Sequence, residues 1–134
     1  MSEMSELIFQ GGYKNQSGDV KVKLFLVQFK DENNIHIIYS PHLDLSGYGD
    51  SPREARKSFE IAFEDLIDYT LKKKTLGKVL ESLGWKLKGT RRKPKKLLAP
   101  SITSVIKDNE YVSEIFDKYN VNTYHKEVGI PAYA

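Results

Sequence analysis

The sequence has no cysteine, only three histidines and no long apolar run. The absence of cysteine excludes a disulfide framework, a zinc site built from thiolates and a cysteine nucleophile. No apolar run approaches the ~20 residues that a membrane helix requires. The first ten residues also lack the basic start and the apolar stretch of a secretory signal. We therefore expect a cytoplasmic protein that does not enter a membrane.

The charge of the chain is unevenly distributed. Its 134 residues, 40% hydrophobic and 29% charged, predict a single globular domain over 1–134 with a formal net charge of +3. Seven basic residues and no acidic one lie within 86–96: Lys86, Lys88, Arg91, Arg92, Lys93, Lys95 and Lys96. Without these seven charges the rest of the chain has a net charge of −4. Because Gly89 and Pro94 interrupt this segment, we predict a basic surface loop over 86–96.

Hydrophobic alternation predicts three strands near the N-terminus. Residues 20–29 alternate apolar with polar at first and then become apolar on both faces. A polar turn separates them from the β-branched stretch 35–39, so the two form a hairpin. Alternation over 43–48 indicates a third strand.

The clearest predicted element is a helix over 51–73. Ser51 can cap it, Pro52 suits the first helical position, and Glu54 can complete a capping box. An apolar stripe then follows helical spacing: Ala55, Phe59, Ala62, Phe63, Leu66 and Thr70. We expect Phe59 and Phe63 to pack against the strands.

The C-terminal half predicts smaller elements. Short helices are expected over 75–83 and 109–119, the second with Val112, Ile115, Phe116 and Tyr119 aligned on one face. A last strand is expected over 121–130. The predicted class is α+β, an antiparallel sheet with one long helix packed on one face, extended by C-terminal short helices and a strand.

The stretch 25–71 resembles the HicB antitoxin family and the wider HicB-like group. The resemblance rests on Gly47-Tyr48-Gly49-Asp50-Ser51-Pro52-Arg53-Glu54-Ala55, a glycine-containing strand that leads into a capped helix start. A structural role is expected for five residues of this motif: Gly47, Gly49, Ser51, Glu54 and Ala55. Gly49 permits close packing or positive φ before the helix, and Ser51 and Glu54 cap the helix.

The resemblance implies a degenerate RNase H-like domain without catalysis. Such a protein acts in the bacterial cytoplasm and binds a HicA-type toxin, which is a small ribonuclease, or another protein partner. It also implies a homodimer or larger homo-oligomer. Family members often add a C-terminal DNA-binding module, but the sequence of 75–134 shows no pattern that indicates one and is predicted to continue the α+β body.

No catalytic or metal-binding constellation stands out in the sequence. The carboxylates Asp44, Asp50, Glu60 and Glu64 would be the set for a nuclease, but Glu60 and Glu64 are predicted to face solvent. The histidines His36, His42 and His125 have no metal-ligand spacing. We therefore predict no catalytic residue, no metal and no cofactor.

The basic segment supports an alternative function, RNA binding. Trp85 could stack on a base, and Lys88, Arg91, Arg92, Lys93, Lys95 and Lys96 could contact phosphates. Such binding would be weak and sensitive to salt. The competing interpretation is a solvated connection with Trp85 in the core.

Overall fold

The computed structural model describes residues 19–89 and 94–131. The strands are β1 (Asp19–Lys30), β2 (His36–Ser40), β3 (Leu45–Gly49), β4 (Lys86–Gly89), β5 (Pro94–Leu98) and β6 (Asn122–Pro131). The helices are α1 (Pro52–Lys73), α2 (Leu76–Ser82), α3 (Ile102–Lys107) and α4 (Glu110–Lys118). This is the predicted α+β class with an antiparallel sheet. None of the described helices is long and apolar enough to cross a bilayer.

Within the described residues the main sheet has four strands in the order β3-β2-β1-β6, with every neighbouring pair antiparallel. In the centre Val27 lies opposite Tyr39 of β2 and Thr123 of β6. Side chains alternate between the two faces of a strand. The apolar residues on both faces of β1 therefore require cover on both sides of the sheet.

Helix α1 covers the first face. Ser51 Oγ accepts a hydrogen bond from the Glu54 N–H at 3.1 Å, as the capping pattern predicts. The Glu54 carboxylate accepts from the Asp50 N–H at 2.9 Å, one residue before the position expected for a capping box. The buried residues of α1 are Ala55, Phe59, Phe63, Ile67 and Thr70, while Ala62 and Leu66 are half-buried.

The two motif glycines allow α1 to lie directly on β3. A Cβ at Gly47 would lie 2.3 Å from the Phe59 backbone nitrogen, and one at Gly49 would lie 2.4 Å from Glu54 Cβ. Neither glycine has a positive φ. Of the two predicted reasons for Gly49, close packing is therefore the operative one.

Helices α3 and α4 cover the second face. Val112 and Ile115 of α4 pack in a cluster with five sheet residues, which are Phe25, Val27, Phe29, Ile37 and Tyr39. Tyr119 stacks on Phe29 with ring centroids 4.9 Å apart. The prediction that Phe116 belongs to the packed face is wrong, because Val112 and Ile115 contact the sheet and Phe116 is 43% exposed.

The prediction of a loop over 86–96 is also wrong at both ends. Strands β4 and β5 pair antiparallel with Leu87 opposite Leu97, and the register shifts between Lys88 and Gly89. Leu97 is buried in the main core, which ties the hairpin to the body. Residues 90–93 lie outside the described part of the chain.

Candidate functional site

Trp85, the candidate for stacking on a base, lies in the core. Its side chain is 2% exposed, and its indole N–H donates to the His42 carbonyl oxygen at 2.8 Å. The rings of His42 and Trp85 meet edge to face with centroids 6.0 Å apart. Because its ring is covered, Trp85 offers no stacking surface to a base in this structure, and the competing interpretation of a core tryptophan is correct.

The basic residues of the predicted RNA-binding set fall into two groups. Lys88, Lys95 and Lys96 lie on strands β4 and β5, where Lys88 is in register with Lys96. Arg91, Arg92 and Lys93 lie outside the described residues. Lys86, at the start of β4, is exposed. Strand pairing thus brings part of the basic set together, and a role in RNA binding stays a prediction.

The five family-motif residues meet at the junction of β3 and α1. Ala55 is fully buried. Its carbonyl oxygen lies 2.6 Å from the position that a Cβ on Gly47 would take. Nearby, Ser58 Oγ accepts from the Tyr48 N–H at 3.0 Å. These contacts hold β3 against α1, so the motif residues have a structural role.

An open groove of about 650 Å³ lies between the 39–44 turn, the end of α2 and the α3–α4 junction. We call it the Tyr39 groove. Its lining includes two tyrosines and four polar or acidic residues that matter for its chemistry: Tyr39, Asp44, Asp108, Asn109, Glu110 and Tyr111. Of the described residues that line it, three are acidic and none is basic. The groove therefore favours a cationic ligand.

A polar chain fixes the floor of the Tyr39 groove. The Tyr39 hydroxyl donates to Asp44 Oδ1 at 2.7 Å and accepts from Asn109 Nδ2 at 3.2 Å. Asn109 Oδ1 also accepts from the Val112 N–H at 3.0 Å and thereby caps α4. Burial raises the pKa of Tyr39 to about 12, so its hydroxyl remains a donor at neutral pH.

The rim of the groove carries exposed aromatic and acidic groups. Tyr111 is 40% exposed, and its ring meets Tyr39 edge to face with centroids 4.8 Å apart. Asp44, Asp108 and Glu110 are exposed. Tyrosine rings beside carboxylates suit a lysine or arginine side chain, which can form a charge-assisted hydrogen bond and a cation–π contact there.

The carboxylates considered for a nuclease are not brought together. Asp44 lies in the Tyr39 groove, whereas Glu60 lies beside Arg56, Tyr124 and Lys126 near the α1 face of the sheet. Glu60 and Glu64 are half-buried, which corrects the prediction that they face solvent. Within residues 19–89 and 94–131 no three histidine, aspartate or glutamate side chains form a metal-binding group.

Sequence reasoning missed the Tyr39 groove because its parts are distant in the chain. Tyr39 and Asn109 are 70 residues apart, and neither belongs to a motif. The one local signal is Asn109 itself, which precedes the 110–118 helix in the position of an N-cap. Asp44 has a positive φ of 52° at a turn, a feature that only the structure shows.

Comparison of the chain with family models, with curated proteins and with solved structures finds no match in any of the three. The resemblance to HicB-like proteins therefore stays a prediction from the 47–55 motif.

Proposed function

We propose that this chain is a non-enzymatic, HicB-like binding protein that holds a small basic protein in the bacterial cytoplasm. The partner class is a HicA-type toxin ribonuclease or a related protein. The observation that carries the proposal is the Tyr39 groove, in which three carboxylates and the ring of Tyr111 are exposed above the buried Tyr39, with no basic residue among the described lining.

Charge complementarity connects the groove to this partner class. A ribonuclease must attract a polyanion, so its substrate-binding face is rich in lysine and arginine. A binding protein that covers such a face needs carboxylates and aromatic rings at matching positions. Asp108 and Glu110 supply the carboxylates, and Tyr111 supplies an exposed ring.

The β3–α1 junction supports the HicB-like part of the proposal. Each motif residue has a contact that depends on its identity: Gly47 and Gly49 admit the helix, Ser51 and Glu54 cap it, and Ala55 is the buried helix residue that lies against Gly47. A motif of this kind preserves a scaffold. It leaves the choice of partner to surfaces such as the Tyr39 groove.

Co-expression tests the proposal. The chain is produced together with a HicA-type toxin, preferably one encoded in an adjacent reading frame, and growth and co-purification are measured. We expect the chain to restore growth and to co-purify with the toxin, and Asp108→Asn/Glu110→Gln to do both less well. Growth arrest that the chain does not relieve, with no co-purification, would overturn the proposal.

RNA binding is the second candidate function, favoured by the seven basic residues within 86–96. Contacts to about four or five phosphates on single-stranded RNA predict a log–log salt slope of about −3 to −4. Replacement of Arg91, Arg92, Lys93, Lys95 and Lys96 by glutamine should flatten this slope. A matched control replaces the lysine run Lys72, Lys73 and Lys74 instead and should leave it unchanged. No retention of RNA at low salt would remove this candidate.

Self-association is part of the same proposal. The described four-stranded sheet ends at β3 and β6, and an edge strand can pair with a second copy. We expect a homodimer or larger homo-oligomer by light scattering at tens of micromolar. A mass of only 15.4 kDa, that of the single chain, would contradict this expectation.

A further inference from the structure

His42 is a buried histidine with both ring nitrogens engaged. The residue as a whole is 2% exposed. Nδ1 accepts from the Phe25 N–H at 3.1 Å, and Nε2 lies 2.8 Å from the Pro100 carbonyl oxygen. A carbonyl only accepts, so Nε2 carries the proton and donates. The two contacts together select the neutral ring with the proton on Nε2.

The hydrogen bond from the Phe25 N–H to His42 lies just beyond the end of the β1–β2 pairing. The registered pairing of β1 with β2 runs from Lys30–His36 to Val27–Tyr39 and stops there. Beyond this point the Phe25 N–H donates to the imidazole. A buried backbone N–H needs an acceptor, so loss of Nδ1 as an acceptor is costly at this position.

His42 also holds both ends of the β4–β5 hairpin. Trp85 immediately precedes the hairpin and donates to the His42 carbonyl oxygen, while Pro100 follows the hairpin and accepts from the His42 ring. His42 therefore connects the residues that flank both ends of the hairpin.

We propose that His42 is an acid-sensitive clasp that fixes the β4–β5 hairpin to the sheet and releases it when the ring is protonated. A proton on Nδ1 would face the Phe25 N–H, so two donors would oppose each other in a buried site. The ring would then leave its position, Pro100 would lose its hydrogen-bond donor, and the edge-to-face contact between the ring and Trp85 would be lost. The hairpin would then depend on its apolar contacts, among them Leu97 in the main core, and would move more easily relative to the sheet.

The surroundings of the ring determine the direction of the pH effect. Burial lowers the pKa of His42 below its ordinary 6.5, the bond to the Pro100 carbonyl opposes that shift, and His125 lowers the pKa further. Phe25, Trp85 and Pro100, which bond to or stack on the ring, carry no titratable side chain, and His125 is the titratable neighbour that acts on it. Because the folded pKa lies below the unfolded one, the clasp is fully closed above pH ~6.5 and is lost as the pH falls from there towards the folded pKa.

Trp85 is the one tryptophan of the chain and reports directly on the clasp. Its fluorescence is recorded from about pH 8 to about pH 4.5 at constant ionic strength, a range that spans histidine titration. We expect blue-shifted emission at neutral pH and a red shift with a midpoint below 6.5, while far-ultraviolet circular dichroism retains the signal of α1. The His36→Gln variant, a control histidine on β2, should give the same curve.

His42→Gln removes the titrating group and keeps a donor for Pro100. We expect this variant to lose the pH-dependent red shift. An emission spectrum of the wild type that does not change over the range would overturn the proposal, as would the same transition in His42→Gln.

Nuclear magnetic resonance of the wild-type histidine rings provides a test that needs no substitution. At neutral pH the His42 ring should be protonated on Nε2, and its titration should coincide with the shift of the Trp85 indole N–H. A ring protonated on Nδ1, or one that titrates at or above 6.5, would also overturn the clasp.

Discussion

The two faces of the four-stranded sheet are covered in different ways. On one face a single 22-residue helix lies backbone against backbone on Gly47 and buries Phe59 and Phe63 completely. On the other face two short helices rest on aromatic side chains, and a hydrogen-bonded chain from Asp44 through Tyr39 to Asn109 joins them to the sheet. The first face is built for stability. The second leaves Tyr111 and several carboxylates at the surface, where a partner can reach them.

The largest expected effect comes from the core of the α1 face. Phe63 is fully buried, so Phe63→Ala should lower the free energy of unfolding by about 3–5 kcal/mol through lost burial and a cavity. The same change on the other face, Phe116→Ala, removes a ring that is 43% exposed and should cost less than about 1 kcal/mol. Urea denaturation measures both. Equal losses, or a loss below about 1 kcal/mol for Phe63→Ala, would remove the contrast between the faces.

A smaller effect is expected where α1 meets β3. Gly47→Ala would place a methyl group 2.3 Å from the Phe59 backbone nitrogen, and a backbone atom cannot move aside alone. Overpacking of this kind should cost about 1–3 kcal/mol. Ser46→Ala, one residue earlier on β3, is the control and should change stability by about 0.5 kcal/mol or less. A Gly47→Ala variant as stable as the wild type would mean that α1 does not lie this close to β3.

The smallest effect is expected in the polar chain of the second face. Asn109→Ala removes both the cap of α4 and the donor to Tyr39, so it should cost about 1–2 kcal/mol. Ser101→Ala removes only the cap of α3 and should cost about 1 kcal/mol or less. A double-mutant cycle with Tyr39→Phe isolates the link to the sheet, and strictly additive losses would show that the two residues do not interact.

The α1 face could be predicted from the sequence because its signals are local. Ser51, Pro52 and Glu54 mark the helix start within four residues, and Phe59 and Phe63 repeat at helical spacing. The hairpin of strands in 20–40 and the last strand were predicted for the same reason, and the structure contains them. When an element packs against a single surface, local periodicity predicts both the type of element and its buried side.

The second face and the basic hairpin depend on partners that the sequence does not indicate. Phe116 has the same spacing as its buried neighbours, and only the position of α4 on the sheet leaves it exposed. Gly89 and Pro94 suggested a loop, but the strands they border pair with each other and Leu97 is buried in the core. Trp85 lies in the core, where it donates a hydrogen bond to His42, 43 residues away in the chain. Tertiary contacts override local preference at each of these positions.

The central claim is that the surface of α3 and α4, not the α1 face, binds the partner. Isothermal titration calorimetry of the HicA-type toxin with matched charge-removing variants tests it most directly. Asp108→Asn/Glu110→Gln alters the Tyr39 groove, and Asp65→Asn/Asp68→Asn removes the same charge from exposed positions on α1. We predict that the first variant weakens binding about tenfold or more, which corresponds to ~1.4 kcal/mol, and that the second binds like the wild type. Equal affinities of the two variants, or a loss confined to the second, would contradict the account.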